Sequence, residues 1–104
     1  DLDSILPSLD VIGLLRIQKE RMDKTVATSL DDYVDRYGIT ESRAKGINDD
    51  VVIVHPGPVN RGIEIASEVL DKRVNVLVNQ QVTNGVAVRM AVLFRLLGSG
   101  IEID

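Results

Sequence analysis

Two short apolar runs set the limits on what this chain can fold into. Apart from Arg16, VIGLLRI at residues 11–17 and VVIV at residues 51–54 are made of aliphatic and β-branched side chains and glycine. Continuous runs of this kind suit strands buried on both faces of a parallel sheet. Parallel strands cannot be joined by a tight turn, since they need a crossover of about a dozen residues or more, and the segment between the runs reads as helical. Ser29 and Asp32 have capping-box spacing, with Asp in place of the usual Glu. Leu30, Tyr33, Val34 and Tyr37 then follow at helical spacing, and Gly38 closes the run. Thr40 is the expected N-cap of a second short helix, ESRAK, closed by Gly46. Strand, helix, helix, strand predicts a right-handed βαβ crossover.

The flanks extend this pattern. Leu2, Ile5, Leu6 and Leu9 have helical spacing, and Pro7 keeps any helix there short or kinked. IEIASEVLD, at 63–71, is expected to add a helix. A long helix is expected from about Val74 to Leu97, with an apolar stripe at Val82, Val86, Met90, Leu93 and Leu97 and a soft point at Gly85. Two strands alone cannot bury both faces and both edges. The chain therefore reads as part of a larger α/β domain, a Rossmann-like parallel sheet with flanking helices that ends in the long helix. The alternative is a third strand hidden in RVNVLV, 73–78.

Composition narrows the chemistry. The chain has no cysteine and one histidine, which leaves neither thiolate ligands nor a histidine-rich metal site. A net charge of −4 and a single phenylalanine lack the basic stripe and stacking platform of a nucleic-acid binder. With no apolar run near the roughly 18 residues of a membrane span and no basic, apolar leader, the expectation is a cytoplasmic protein.

In open α/β sheets ligands bind beyond the carboxyl ends of the strands, and two polar clusters fall there. Arg16, Gln18, Lys19, Glu20 and Arg21 follow the first run; His55 to Arg61 follow the second. Arg16, Lys19, Arg21 and Lys24 stand out in an acidic chain and suit a small anion, because guanidinium grips a carboxylate or phosphate through parallel hydrogen bonds. A solvated basic loop is the competing reading. In HPGPVNRG, 55–62, Pro56 and Pro58 lack N–H groups, hold the loop rigid and leave carbonyls available, while Gly57 lets a ligand approach the backbone. Such a loop offers acceptors to an N–H group. His55 is expected to hold the loop rather than to act as a catalyst, and Asn60, Arg61 and Glu64 to brace the turn.

Four segments in order, LLRIQKER, RYGIT, HPGPVNRGIEI and QQVTNGVAVRMAVLFRLL, closely resemble the C-terminal part of bacterial aspartate carbamoyltransferases, over nearly the whole chain. Ornithine carbamoyltransferases share the fold but carry a His-Cys-Leu-Pro loop where this chain has HPGP, which favours aspartate. The resemblance implies that residues 1–104 are the C-terminal portion of an aspartate-binding domain, with the carbamoyl-phosphate domain outside this chain. It implies carbamoyl transfer from carbamoyl phosphate to the amine of L-aspartate in pyrimidine synthesis, with no cofactor and no metal. Arg16 would bind an aspartate carboxylate, Gln18 would help to orient it, and Glu20 would hold Arg16, on a mobile QKERMDKTVATS loop. The carbonyls of Pro56 and Gly57 would accept from the carbamoyl NH₂ and the attacking amine, Pro58 would complete that wall, and His55 would support it.

The resemblance also implies a homotrimer with shared active sites, in some assemblies larger. The family's Ser-Thr-Arg-Thr phosphate grip, its active-site histidine and a second aspartate-binding arginine have no counterpart here, so residues 1–104 alone are expected to be inactive, with no catalytic residue of their own. Many family members have leucine at the position of Gly57, and an arginine directly after the second proline where this chain has Val59. Arg61 therefore does not inherit that arginine's role by position. The reading from a different class is a non-enzymatic module for small-anion binding or assembly, of the same architecture.

Overall fold

The computed structural model describes residues 1–19 and 27–98. Helix α1, Leu2–Ile5, runs into a 3₁₀ turn at Leu6–Ser8 that contains Pro7. Strand β1, Val11–Gly13, is followed by α2, Ala27–Tyr37, then α3, Glu41–Ala44, and β2, Val52–Val54. Helices α4, Ser67–Lys72, and α5, Val78–Leu97, complete the order. The two strands pair in parallel, Val11 with Val52, Ile12 with Ile53 and Gly13 with Val54. The crossover through α2 and α3 is the one the spacing of the two apolar runs requires.

The first strand is shorter than its apolar run. After Leu14 donates to the Val54 carbonyl at 2.9 Å the pairing stops, because the neighbouring chain passes at once into His55 and Pro56, and proline has no N–H to extend a ladder. RVNVLV makes a single parallel bridge on the other edge of β2, between Ile53 and Val76. Ile53 donates to Asn75 and Leu77 donates to Ile53, each at 2.9 Å. Those backbone groups are thereby withheld from a helix, and α5 starts at Val78 instead of Val74. Similarly, Ile39 donates to the Glu64 carbonyl and Ala66 to that of Ile39, both at 2.9 Å, so the helix expected over 63–71 begins only at Ser67.

Helix α2 contains Ser29 within its first turn, so Ser29 is not the N-cap that capping-box spacing suggested. Gly38 ends the helix: its N–H returns to the Val34 carbonyl, and a Cβ there would lie 2.8 Å from the carbonyl oxygen of Ile63. Arg43 completes this end by donating to the carbonyls of Val34 at 3.1 Å and Gly38 at 2.9 Å, with Asp35 as a third acceptor. The last carbonyls of a helix lack partners within it, and a guanidinium suits both their geometry and their partial charge. Thr40 caps α3, its Oγ1 accepting from the Arg43 N–H at 3.2 Å.

Leu6, Ile12, Ile39, Ile47, Val51, Ile53, Ile65 and Val69 form the core around the strand pair. Helix α5 runs unbroken through Gly85. Its stripe at Val82, Val86, Met90, Leu93 and Leu97 is exposed among the described residues, so the face that sequence spacing marked as apolar packs little against this part of the molecule. Among the described residues no helix is long and apolar enough to cross a membrane.

Candidate functional site

The two polar segments leave the carboxyl ends of adjacent parallel strands, which brings them to one edge of the fold. After β1 the chain presents Arg16, half-buried, and Gln18, exposed. Glu20, Arg21 and Lys24, together with most of the QKERMDKTVATS segment, lie outside the described residues. After β2 come His55, fully buried, then Pro56 and Pro58, both exposed, on either side of Gly57. The Gly57–Pro58 peptide bond is cis, and Gly57 itself has φ +69°. That left-handed backbone favours glycine. The space around it gives a second reason, since a Cβ on Gly57 would stand 3.1 Å from Cγ2 of Val82.

Every backbone donor of Pro56–Pro58 is accounted for. The prolines have none, and the Gly57 N–H donates to Nδ1 of His55 at 2.8 Å. The segment therefore has only carbonyl oxygens to offer a ligand. A nitrogen that accepts carries a lone pair, so the imidazole proton sits on Nε2, which donates to Oε1 of Glu64 at 3.0 Å. Both side chains are fully buried.

Oε1 of Glu64 also receives the Asn60 N–H at 3.3 Å and Asn60 Nδ2 at 3.4 Å. The same Nδ2 donates to the Ile17 carbonyl at 2.7 Å, which joins the loop after β2 to the loop after β1 between Arg16 and Gln18. Burial, and after it the charge of Glu64, pushes the Tyr33 phenol on α2 above its ordinary range. The sequence marked Asn60 and Glu64 as braces of the turn but gave no sign that the carboxylate is buried.

Arg61 points elsewhere, forming a two-pronged pair with Asp71 of α4. A cavity of about 290 Å³ beside the loop is lined by Gly57, Pro58, Val59, Arg61, Asp71 and Val82 among others. Neither Arg16 nor Gln18 is in its wall. Among the described residues no group of three His, Cys, Asp or Glu side chains could hold a metal ion.

Parallel strands joined through helices, with further helices flanking them, define an α/β architecture, in which ligands commonly bind beyond the carboxyl ends of the strands. The family model for the Asp/Orn binding domain of aspartate/ornithine carbamoyltransferases matches residues 1–96, and the chain belongs to that family. Its relatives include the aspartate carbamoyltransferase catalytic subunit of Salinispora tropica, 49% identical over 94% of this chain and 32% of that protein. That of Syntrophomonas wolfei is 48% identical over 95% of this chain and 31% of that protein. The chain thus spans about a third of the length of the curated relatives it matches.

Among solved structures, aspartate transcarbamoylase from Trypanosoma cruzi in complex with carbamoyl phosphate superposes with a TM-score of 0.70 at 27% identity, over 88% of this chain and 28% of that one. Ornithine carbamoyltransferase from Pyrococcus furiosus shares the fold, with a TM-score of 0.73 at 22% identity over 98% of this chain and 32% of that one.

Proposed function

We propose that the whole protein transfers the carbamoyl group of carbamoyl phosphate to the amine of L-aspartate, and that residues 1–104 form the C-terminal portion of its aspartate-binding domain. The observation that carries this reading is the acceptor-only segment Pro56–Pro58, whose one N–H is already bound to His55. A wall of carbonyls suits a reaction between two N–H-bearing groups, the carbamoyl NH₂ and the attacking amine. The aspartate carbamoyltransferase names of the similar chains support the same substrates.

In this reaction the amine nitrogen attacks the carbamoyl carbon. A C–N bond forms, the C–O bond to phosphate breaks, the amine loses a proton, and N-carbamoyl-L-aspartate and phosphate leave. No protein nucleophile is needed; the work is positioning and stabilisation of charge. Arg16 binds an aspartate carboxylate, with Gln18 orienting it and Glu20 steadying Arg16. Pro56 and Gly57 accept from the reacting N–H groups, with Pro58 completing the wall and His55 supporting it. The phosphate is held by residues of a carbamoyl-phosphate domain outside this chain. The assembly is a cytoplasmic homotrimer that shares its active sites, and the reaction serves pyrimidine synthesis.

The test is a steady-state assay of the whole protein with carbamoyl phosphate and either L-aspartate or L-ornithine. Formation of carbamoyl-aspartate is expected. Carbamoyl-ornithine in its place would overturn the substrate assignment, and aspartate binding without turnover would favour a non-enzymatic anion-binding module.

A further inference from the structure

Glu64 places a carboxylate where no solvent reaches it. One oxygen, Oε1, takes hydrogen bonds from His55 and twice from Asn60; the other, Oε2, is buried with no hydrogen-bond partner among the described residues. A buried carboxylate oxygen left unpaired costs stability. Local rules are broken in this way mainly where function compensates. What the carboxylate gains is reach in two directions.

Through His55 it fixes the ring so that Nδ1 meets the Gly57 N–H, which sets how the carbonyls of Pro56 and Gly57 are aimed. Through Asn60 it fixes the amide that holds the Ile17 carbonyl, and with it the backbone between Arg16 and Gln18. One arm ends on the loop after β2, the other on the loop after β1.

We propose that Glu64 is a positioning residue that couples the two substrate-binding loops, holding the carbonyl wall through His55 and the aspartate-binding arm through Asn60. This rests on the carbamoyl-transfer reading for its kinetic consequences, though not for its geometry. Because the arms are separate, they fail separately. Loss of the Asn60 arm loosens Arg16 and Gln18 and acts on aspartate. Loss of the His55 arm lets the carbonyls turn and acts on the chemical step for both substrates.

The experiment uses the whole protein and four variants, Glu64→Leu, Asn60→Ala, His55→Asn and the Glu64→Leu/His55→Asn double. Leucine at 64 removes the oxygen on which both arms end, and asparagine at 55 can still accept from Gly57 but cannot reach Glu64. In Glu64→Leu, kcat/KM for aspartate is expected to fall by about tenfold to a hundredfold, the scale of small misplacements in an active site. Asn60→Ala is expected to raise the aspartate KM while leaving the KM for carbamoyl phosphate within about twofold. His55→Asn should lower kcat, and the double variant should be little worse than Glu64→Leu, since the His55 arm is already lost there. Wild-type kinetics in folded Glu64→Leu, or strictly additive losses in the double, would overturn the proposal.

Should Glu64→Leu not fold, the substrate-selective effect of Asn60→Ala still decides. The side-chain ¹⁵N shifts of His55 provide a readout independent of turnover: a lone pair on Nδ1 and a proton on Nε2 are expected, and the opposite tautomer overturns the coupling. An inactive wild type with that tautomer would sink the carbamoyl-transfer reading and leave the coupling standing.

Discussion

The guanidinium of Arg61 and the carboxylate of Asp71 face each other through two parallel hydrogen bonds, Nη1 to Oδ2 and Nη2 to Oδ1, both 2.9 Å. Arg61 is the cation nearest in sequence to the carbonyl-bearing segment Pro56–Pro58, yet its donors are turned to α4. Arg61→Gln in the whole protein is therefore expected to leave the aspartate KM within about twofold, as exposed pairs of this kind contribute little. Steady-state kinetics checks it. A rise of about tenfold or more would mean that Arg61 leaves Asp71 for the substrate.

The same pair sets a pH dependence of stability. The hydrogen bond from Arg61, and after it the charge of the guanidinium, holds the Asp71 carboxyl below its ordinary range. A folded-state value below the unfolded one gives stability that is present above the ordinary aspartate pKa of about 3.9. That contribution is lost as pH falls through the lower folded value. The Tm difference between wild type and Asp71→Asn should thus be constant near neutral pH and close as the medium is acidified below about pH 4. Thermal melts across that window measure it, and a gap that does not change with pH would refute it.

What the sequence disclosed and what it hid differ for physical reasons visible in single residues. The strand pair, its parallel sense, α2 and the Thr40 cap were legible because each depends on local pattern: β-branched runs, helical spacing, a hydroxyl three residues before an N–H. Ends were not legible where a distant partner decides them. Strand β1 stops because β2 meets Pro56, and α4 starts late because Ile39 holds the backbone on either side of Ile65.

The polar braces follow the same division. Arg43 and Glu64 are single charged residues in sequence, and a charged side chain is ordinarily exposed. Only the fold reveals that one closes the end of α2 and the other is buried under the HPGP loop. For the candidate site, the positions of Arg16, Gln18 and the carbonyl-bearing loop at neighbouring strand ends could be anticipated, and the Asn60 bridge between them could not.

In this chain's loop conformation a side chain at Gly57 should cost stability. Its φ of +69° costs an ordinary L-residue about 1–2 kcal/mol, and the added Cβ would press on Val82 at 3.1 Å. Gly57→Ala in the whole protein is expected to lower stability by about that much and to lower kcat, since relief of either strain turns the carbonyl of Gly57. Adding Val82→Ala should recover the part due to contact and leave the part due to φ. Denaturant unfolding of the two variants separates these contributions. A Gly57→Ala protein as stable and active as wild type would show that the loop does not need this backbone conformation.

Arg16 is the residue on which the substrate assignment turns most directly. It stands on the segment leaving β1, beside the Ile17 carbonyl that Asn60 holds, and so its backbone is fixed relative to the carbonyl wall of Pro56 and Gly57. A guanidinium there can meet a carboxylate through charge-assisted hydrogen bonds, and holding that carboxylate also places the amine of the same molecule against its target. Arg16→Ala should then raise the aspartate KM and lower kcat together, with a loss of transition-state binding on the order of 3 kcal/mol, about a hundredfold or more in kcat/KM. Affinity for carbamoyl phosphate should change far less, because under the proposed function its phosphate is gripped outside this chain. Arg16→Lys keeps the charge but not the planar fork, and should recover only a small part of the loss. Steady-state kinetics with each substrate varied in turn gives the answer. An equal loss of affinity for both substrates would mean that Arg16 supports the loop rather than the aspartate, and the carboxylate would need another partner.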